Sequence, residues 1–244
     1  MDRSLLEAFG RRVRAGMVGG GADSVIGRTH IIAMRADGLY DLVAGAMSID
    51  PGIAISSARQ ELIAPDRIYT DWREMAEKEG ARPDKIDVVV IATPPRFHFP
   101  VAKAFLERGI NVIGEKPMTH DLKEAQALAE LVKRTGRLFC LTHCYTGYPM
   151  VRQARAMVAD GVIGKVRLID AEFSIGVPGV ALEPEDPARR HWRFRLDHSG
   201  KAGLLGEAGS HAYHMVSYIT GLHAKSVSAL MSIFAPRREV YDNA

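Results

Sequence analysis

The sequence predicts an α/β protein, a doubly wound parallel sheet of the dinucleotide-binding kind followed by a smaller α+β domain. Three observations carry this. Short apolar, β-branched runs alternate with amphipathic helical stretches from residue 13 to about residue 147, the rhythm of βαβ units. Three consecutive glycines, Gly19-Gly20-Gly21, stand where the first strand should turn into the first helix. From residue 148 to 244 the rhythm changes to two helical stretches and two alternating, half-exposed strand patterns.

Taken in order, Val13 to Val18 predicts a strand, Ile26 to Asp37 a helix and Leu42 to Met47 a second strand, a βαβ opening. A helix follows from Pro51 to Leu62, then a short strand at Ile68-Tyr69 and a helix from Asp71 to Glu79. Ile86 to Ile91 is the most strand-like run, rich in β-branched residues. It stops at Thr93-Pro94-Pro95, where the prolines cannot continue a ladder. A helix near Phe99 to Glu107 leads to the strand Asn111-Val112-Ile113-Gly114, which runs into Glu115-Lys116-Pro117. Asp121 to Thr135 reads as a helix and Leu138 to Thr142 as a sixth strand. In the second domain, Val151 to Asp160 and Leu205 to Thr220 read as helices, and Lys165 to Ile175 and Ser226 to Phe234 as strands of a mostly antiparallel open sheet. Gly176 to Lys201 is a long, charged, proline-bearing connection, a length that is uncommon unless functional or disordered.

Composition narrows the classes. The 244 residues are 47% apolar and 25% charged, with a formal charge of +3, which is ordinary globular chemistry. Arg11-Arg12-Val13-Arg14 is the densest basic spot and too short for a nucleic-acid footprint. No apolar run approaches the ~18 residues of a membrane span. The N-terminal residues lack the apolar core of a signal peptide, so Cys140 and Cys144 are not expected to form a disulfide framework, and the cytoplasm is the expected compartment.

Three constellations carry chemistry. Glycines at a strand-to-helix turn let the backbone approach a pyrophosphate at a helix N-terminus. Here Ser24 stands where the usual spacing has its third glycine, and three inserted residues would make Gly27 the glycine that packs helix on strand. At the end of the second strand, Ser48 does not choose between NAD and NADP. Asp50 disfavours a 2′-phosphate and tips the expectation to NAD, with Arg28 and Arg59 as the residues to reach a phosphate otherwise. The third constellation pairs Lys116, at a strand's carboxyl end, with Glu207 and His211, four apart on one helical face. Moving a hydride off an alcohol carbon needs a base for the hydroxyl proton, which suits His211, and a donor for the developing alkoxide, which suits Lys116. Glu207, His211, His214 and His143 would also permit a metal site, set aside because a nicotinamide domain supplies redox chemistry without one.

Together these pieces resemble the glucose–fructose oxidoreductase, inositol dehydrogenase and MocA family, over nearly the whole chain. The resemblance rests on Gly19-x-Gly21 with the delayed Ile26-Gly27-x-x-His30, on Thr93-Pro94-Pro95, on Glu115-Lys116-Pro117 and on the Glu207…His211 helix. Tyr145 to Arg152 and Trp192-Arg193 look like one bacterial branch of it. It implies a Rossmann domain binding NAD or NADP through Gly19, Gly21, Ile26, Ser48, Thr93, Pro94, His98, Glu115 and Lys116. It implies catalysis by Lys116 and His211 with Glu207, where the family commonly has Asp, and substrate contacts from Lys116, Tyr145, Arg193, His211 and His214. The implied substrates are sugars and cyclitols, and the implied assembly is a homo-oligomer formed through the second-domain sheet. Glycoside cleavage through transient oxidation and non-catalytic NAD(P) binding are the rival activities on the same scaffold. Family chains usually run longer, so a fragment, a misread gene end or completion by a partner chain is expected.

Overall fold

The computed structural model describes residues 4–22, 24–175, 184–186, 189–201, 203 and 205–244. They form two compact units, Met1–Leu141 and Thr142–Ala244. Asp23 of the glycine turn and residues 176–183, 187, 188, 202 and 204, which include much of the long connection, lie outside the described residues.

In the first unit, a short helix α1 (Ser4–Phe9) precedes β1 (Val13–Gly19), α2 (Val25–Ala36) and β2 (Tyr40–Ala46). Then follow α3 (Pro51–Gln60), α4 (Trp72–Ala81), β3 (Val88–Ala92), α5 (His98–Leu106), β4 (Asn111–Gly114), α6 (Leu122–Thr135) and β5 (Phe139–Leu141). All strand pairs are parallel and the order is β2-β1-β3-β4-β5. Because β1 is flanked by β2 on one side and β3 on the other, the chain's winding reverses between β1 and β3, and ligands bind at such a switch point.

Local chemistry explains the elements. All five residues of β3 are buried, as expected of a strand covered on both faces. Its side chains alternate, Val89 and Ile91 packing with Met75, Phe105 and Leu128 under α4–α6, Val88 and Val90 with Met17, Ile31 and Ala58 under α2 and α3. Helix starts are capped by side chains: Ser24 accepts from the Gly27 N–H, Asp50 from Ile53, Asp71 from Arg73 and Asp121 from Glu124. Asn111 stitches three segments, donating to the Asp87 carbonyl and accepting from the Leu138 N–H. The basic cluster before β1 is absorbed by pairing, Arg11 with Asp87 and Arg12 with Asp41.

Two expectations need correction. Ile68-Tyr69 makes no strand of the sheet: Ile68 forms a single parallel bridge with Gly45, so the sheet has five strands and not six. The segment is squeezed between a 3-10 turn at Pro65–Arg67 and the Asp71 cap, and its flanks turn inward. There the fully buried Glu79 carboxylate accepts from Arg67 Nε and Tyr69 Oη, both at 3.0 Å. In the second unit, residues 165–175 and 226–234 form no ladder; within them only Ser232 pairs, antiparallel to Asn243. Alternation makes a strand only when another backbone lies alongside to take its N–H and C=O groups.

The second unit otherwise holds α7 (Pro149–Ala159), the short α8 (Leu196–Ser199) and α9 (Ser210–Thr220). Helices α7 and α9 are joined where Arg155 donates to the Tyr218 carbonyl at 2.7 Å. The described part of the long connection is partly helical, with a 3-10 turn at Trp192–Phe194 before α8. No helix among the described residues is long and apolar enough to cross a membrane.

Candidate functional site

The carboxyl edge of the sheet gathers the first group of residues. The β1–α2 turn is built so tightly that glycine is obligatory. Gly19 and Gly20 have φ of +72° and +75°. A Cβ on Gly27 would lie 2.0 Å from the Gly20 carbonyl oxygen, so Gly27 lets α2 seat directly on the turn, as the delayed motif predicts. With Ser24 capping Gly27, the first N–H groups of α2, those of Val25 and Ile26, point out of the helix start, where an anion is favoured. Ser57 of α3 fixes the turn from the side, its Oγ accepting the Ala22 N–H at 3.0 Å. No sequence signal marked Ser57.

Beyond β2, Asp50 Oδ1 accepts from Ile53 and Ser48 Oγ accepts from the Asp50 N–H, so both groups are anchored at the start of α3. Arg28 is drawn to Glu61, 3.6 Å away. Beyond β3, the Thr93 hydroxyl oxygen is buried with no protein hydrogen bond among the described residues, which is the condition of a group awaiting a ligand. Pro94 opens the turn at Pro95–Phe97 that leads into α5. His98, expected near the cofactor, opens α5. It is 3% exposed, and its ring nitrogens lie 2.8 Å from the Thr93 carbonyl and 2.7 Å from that of Pro117. It therefore sits between the loops after β3 and β4, facing a carbonyl of each. Burial pushes its pKa down against the pull of those carbonyls and of Glu115.

Beyond β4, Glu115 is buried and receives hydrogen bonds on both oxygens, Oε1 facing His30 Nε2 at 2.8 Å and Oε2 accepting the Lys116 N–H at 3.1 Å. Lys116 stands half-buried at the strand end, joined to Pro117 by a cis peptide. These residues fit a dinucleotide: a turn with no room for side chains, open helix-start donors, an unpartnered buried hydroxyl and a charged strand end.

The second unit gathers the remaining candidates around His211, which is 6% exposed on α9. Tyr145 meets its ring edge-on at 4.7 Å, and Phe173 and His143 lie 5.7 Å away. His214 stacks on His143 at 4.0 Å. Arg193 and Glu207, expected separately at substrate and in catalysis, meet each other, with Arg193 Nε donating to Glu207 Oε1 at 3.1 Å. The guanidinium also lies over the Trp192 ring. Glu207 is not on a regular α-helix: Leu205–Gly209 is a π-helical turn running into α9, which changes the phase between Glu207 and His211. Phe173 gave no signal in the sequence beyond its place in an alternating run.

Comparison with known proteins identifies the family of both units. Residues 13–143 match the model of an oxidoreductase family with an NAD-binding Rossmann fold, and residues 151–244 match the C-terminal domain of the same group. The uncharacterised oxidoreductase YfiI of Bacillus subtilis is 33% identical over 85% of this chain and 53% of its own. Levoglucosan dehydrogenase of Pseudarthrobacter phenanthrenivorans is 27% identical over 93% of this chain and 56% of its own. An inositol dehydrogenase homolog from Azotobacter vinelandii, solved with NAD+ and also with NADH and myo-inositol, superposes with a TM-score of 0.81. It is 37% identical over 86% of this chain and 54% of that one. The chain thus spans about half the length of the relatives it matches.

Proposed function

The chain belongs to the GFO/IDH/MocA oxidoreductase family, and we propose that it acts as an NAD-dependent dehydrogenase on a hydroxyl-bearing carbon of a sugar or cyclitol. The observation that carries this reading is the carboxyl edge at the β1–β3 switch point. There the sealed Gly19–Gly27 turn, the unpartnered Thr93 hydroxyl and the Glu115-Lys116-Pro117 strand end share one sheet edge. The levoglucosan and inositol dehydrogenases among its relatives support the substrate class.

Bound NAD would supply the acceptor for the hydride. In this reading Gly19, Gly21 and the Val25–Ile26 helix start hold the pyrophosphate, Ser48 and Asp50 face the adenosine ribose, and Thr93, Pro94 and Glu115 line the nicotinamide end. The Lys116 ammonium donates to the substrate oxygen and stabilises the alkoxide as the hydroxyl proton leaves. His211 takes that proton on a ring nitrogen, as suits an imidazole near neutral pH. Tyr145 and His214 complete the substrate contacts, and Arg193 holds Glu207 in orientation. The exposed apolar residues of the second unit, among them Leu168, Val227, Leu230 and Phe234, support a domain, 148–244, that pairs with another copy.

Fluorescence titration with NADH, followed by a screen of sugars and cyclitols read at the nicotinamide absorbance band, tests this. Expected are NADH binding, net reduction of NAD+ by at least one cyclitol or sugar, and a loss of about 100-fold or more in Lys116→Ala. Glycoside cleavage without net change in absorbance, cofactor binding without turnover, or full activity in Lys116→Ala each overturns the reading.

A further inference from the structure

The geometry points to His30 as a positioning residue for Lys116, acting through Glu115; this rests on the oxidoreductase reading above. His30 lies on α2 one turn past Gly27, so it belongs to the helix that seats directly on the glycine turn. Its side chain and that of Glu115 are 14% and 11% exposed, and they meet at 2.8 Å across 85 residues of sequence. Helix α2 packs over β2 and β3, yet His30 reaches past β3 to the end of β4.

A carboxylate this buried must be fully partnered to stay ionised. Glu115 divides its partners between two parts of the sheet edge. Oε1 is held by His30, and Oε2 holds the peptide N–H of Lys116 itself. The Glu115 N–H continues the sheet by donating to the Ile91 carbonyl, so its backbone is fixed as well. The carboxylate is therefore a strut with α2 at one end and the Lys116 peptide at the other. A carboxylate partner selects an imidazole that carries its proton on Nε2. His98 also feels this carboxylate, and its ring nitrogens face the Thr93 and Pro117 carbonyls. By holding Oε1, His30 sets the carboxylate's rotation from the α2 side, and through Oε2 the direction in which Lys116 leaves the strand.

The test uses the full chain and needs no substrate. Wild type, His30→Leu, His30→Asn and His30→Gln are pulse-labelled with acetic anhydride, with and without NADH, and Lys116 modification is measured by peptide mass spectrometry against the remaining lysines. Gln places an amide donor where Nε2 stood, while Asn is one methylene shorter and Leu donates nothing. Expected is a change in relative Lys116 labelling of about three-fold or more in the Leu and Asn variants, with loss of protection by NADH, and recovery of wild-type behaviour in the Gln variant. Should His30→Leu not fold, the Asn and Gln pair carries the comparison. Wild-type labelling in the Asn variant, or equal disturbance in Asn and Gln, overturns the proposal. Failure of the wild type to bind NADH overturns the oxidoreductase reading instead, and the labelling without NADH still decides the role of His30.

Discussion

Ser57 and Gly27 act on the glycine turn from opposite sides, and the two should fail differently. Removing the Ser57 hydroxyl leaves the Ala22 N–H without its acceptor but breaks no packing. We expect Ser57→Ala to weaken NADH binding by roughly five-fold, about 1 kcal/mol, in a fluorescence titration, with little change in melting temperature. Gly27→Ala forces a methyl against the Gly20 backbone and should abolish NADH binding or folding outright, as read by the same titration and by circular dichroism. His98 adds a pH dependence. Its folded pKa is depressed, chiefly by burial, so the unfolded chain binds the extra proton first as the solution is acidified. Its contribution is complete above about pH 6.5, the unfolded value, and is lost as pH falls towards the folded one. Urea unfolding at pH 7 and at pH 5.5 should show a loss of stability that is smaller in His98→Asn. At this scale the sequence was legible where geometry demands one residue type: Gly27 could be named in advance. Ser57 and the Glu115 partner of His30 could not, because their roles depend on which helix lands beside which strand end.

Helix boundaries follow the capping residues closely, and α3 shows what the cap at its far end costs. The helix closes with the Ile63 N–H on the Ala58 carbonyl and the Leu62 N–H on the Arg59 carbonyl, which puts Leu62 at φ +63°. Leu62 is also 88% exposed, so its side chain gains little from the fold. Replacing it with glycine should stabilise the protein by about 1 kcal/mol, a rise of roughly 2–4 °C in melting temperature by calorimetry. The element that the sequence hid is the π-helical turn at Leu205–Gly209. A period read from Glu207 and His211 assumes 3.6 residues per turn, and the turn's residues do not mark the departure from it. The strands expected at 165–175 and 226–234 were misread for another reason: alternation records a two-faced segment, not the presence of a neighbour.

At the scale of the molecule, each compact unit holds one of the two tryptophans, Trp72 in the first and Trp192 in the second. Trp192→Phe therefore leaves fluorescence as a reporter of the nucleotide-binding unit alone. NADH at about 100 times its Kd should stabilise that unit by about 2.7 kcal/mol and raise the Trp72 transition by several degrees. An unmoved transition would mean that the glycine turn does not hold the dinucleotide. The alternation of strand and helix made this unit readable before any coordinates, because each βαβ step repeats the same physical solution. The second unit, with fewer repeating steps and more of its apolar residues exposed, carried no such redundancy.

The strand order has a consequence for how the chain assembles as it is made. β2 adds to one edge of β1, β3 to the other, β4 to β3 and β5 to β4. No strand has to be inserted between two that are already paired, so the sheet can grow outward in the order of synthesis. The crevice between β1 and β3 closes once Ala92 has emerged, before Glu115 and Lys116 exist. The glycine turn is thus built before Lys116, which is delivered to an edge that is already there to receive it.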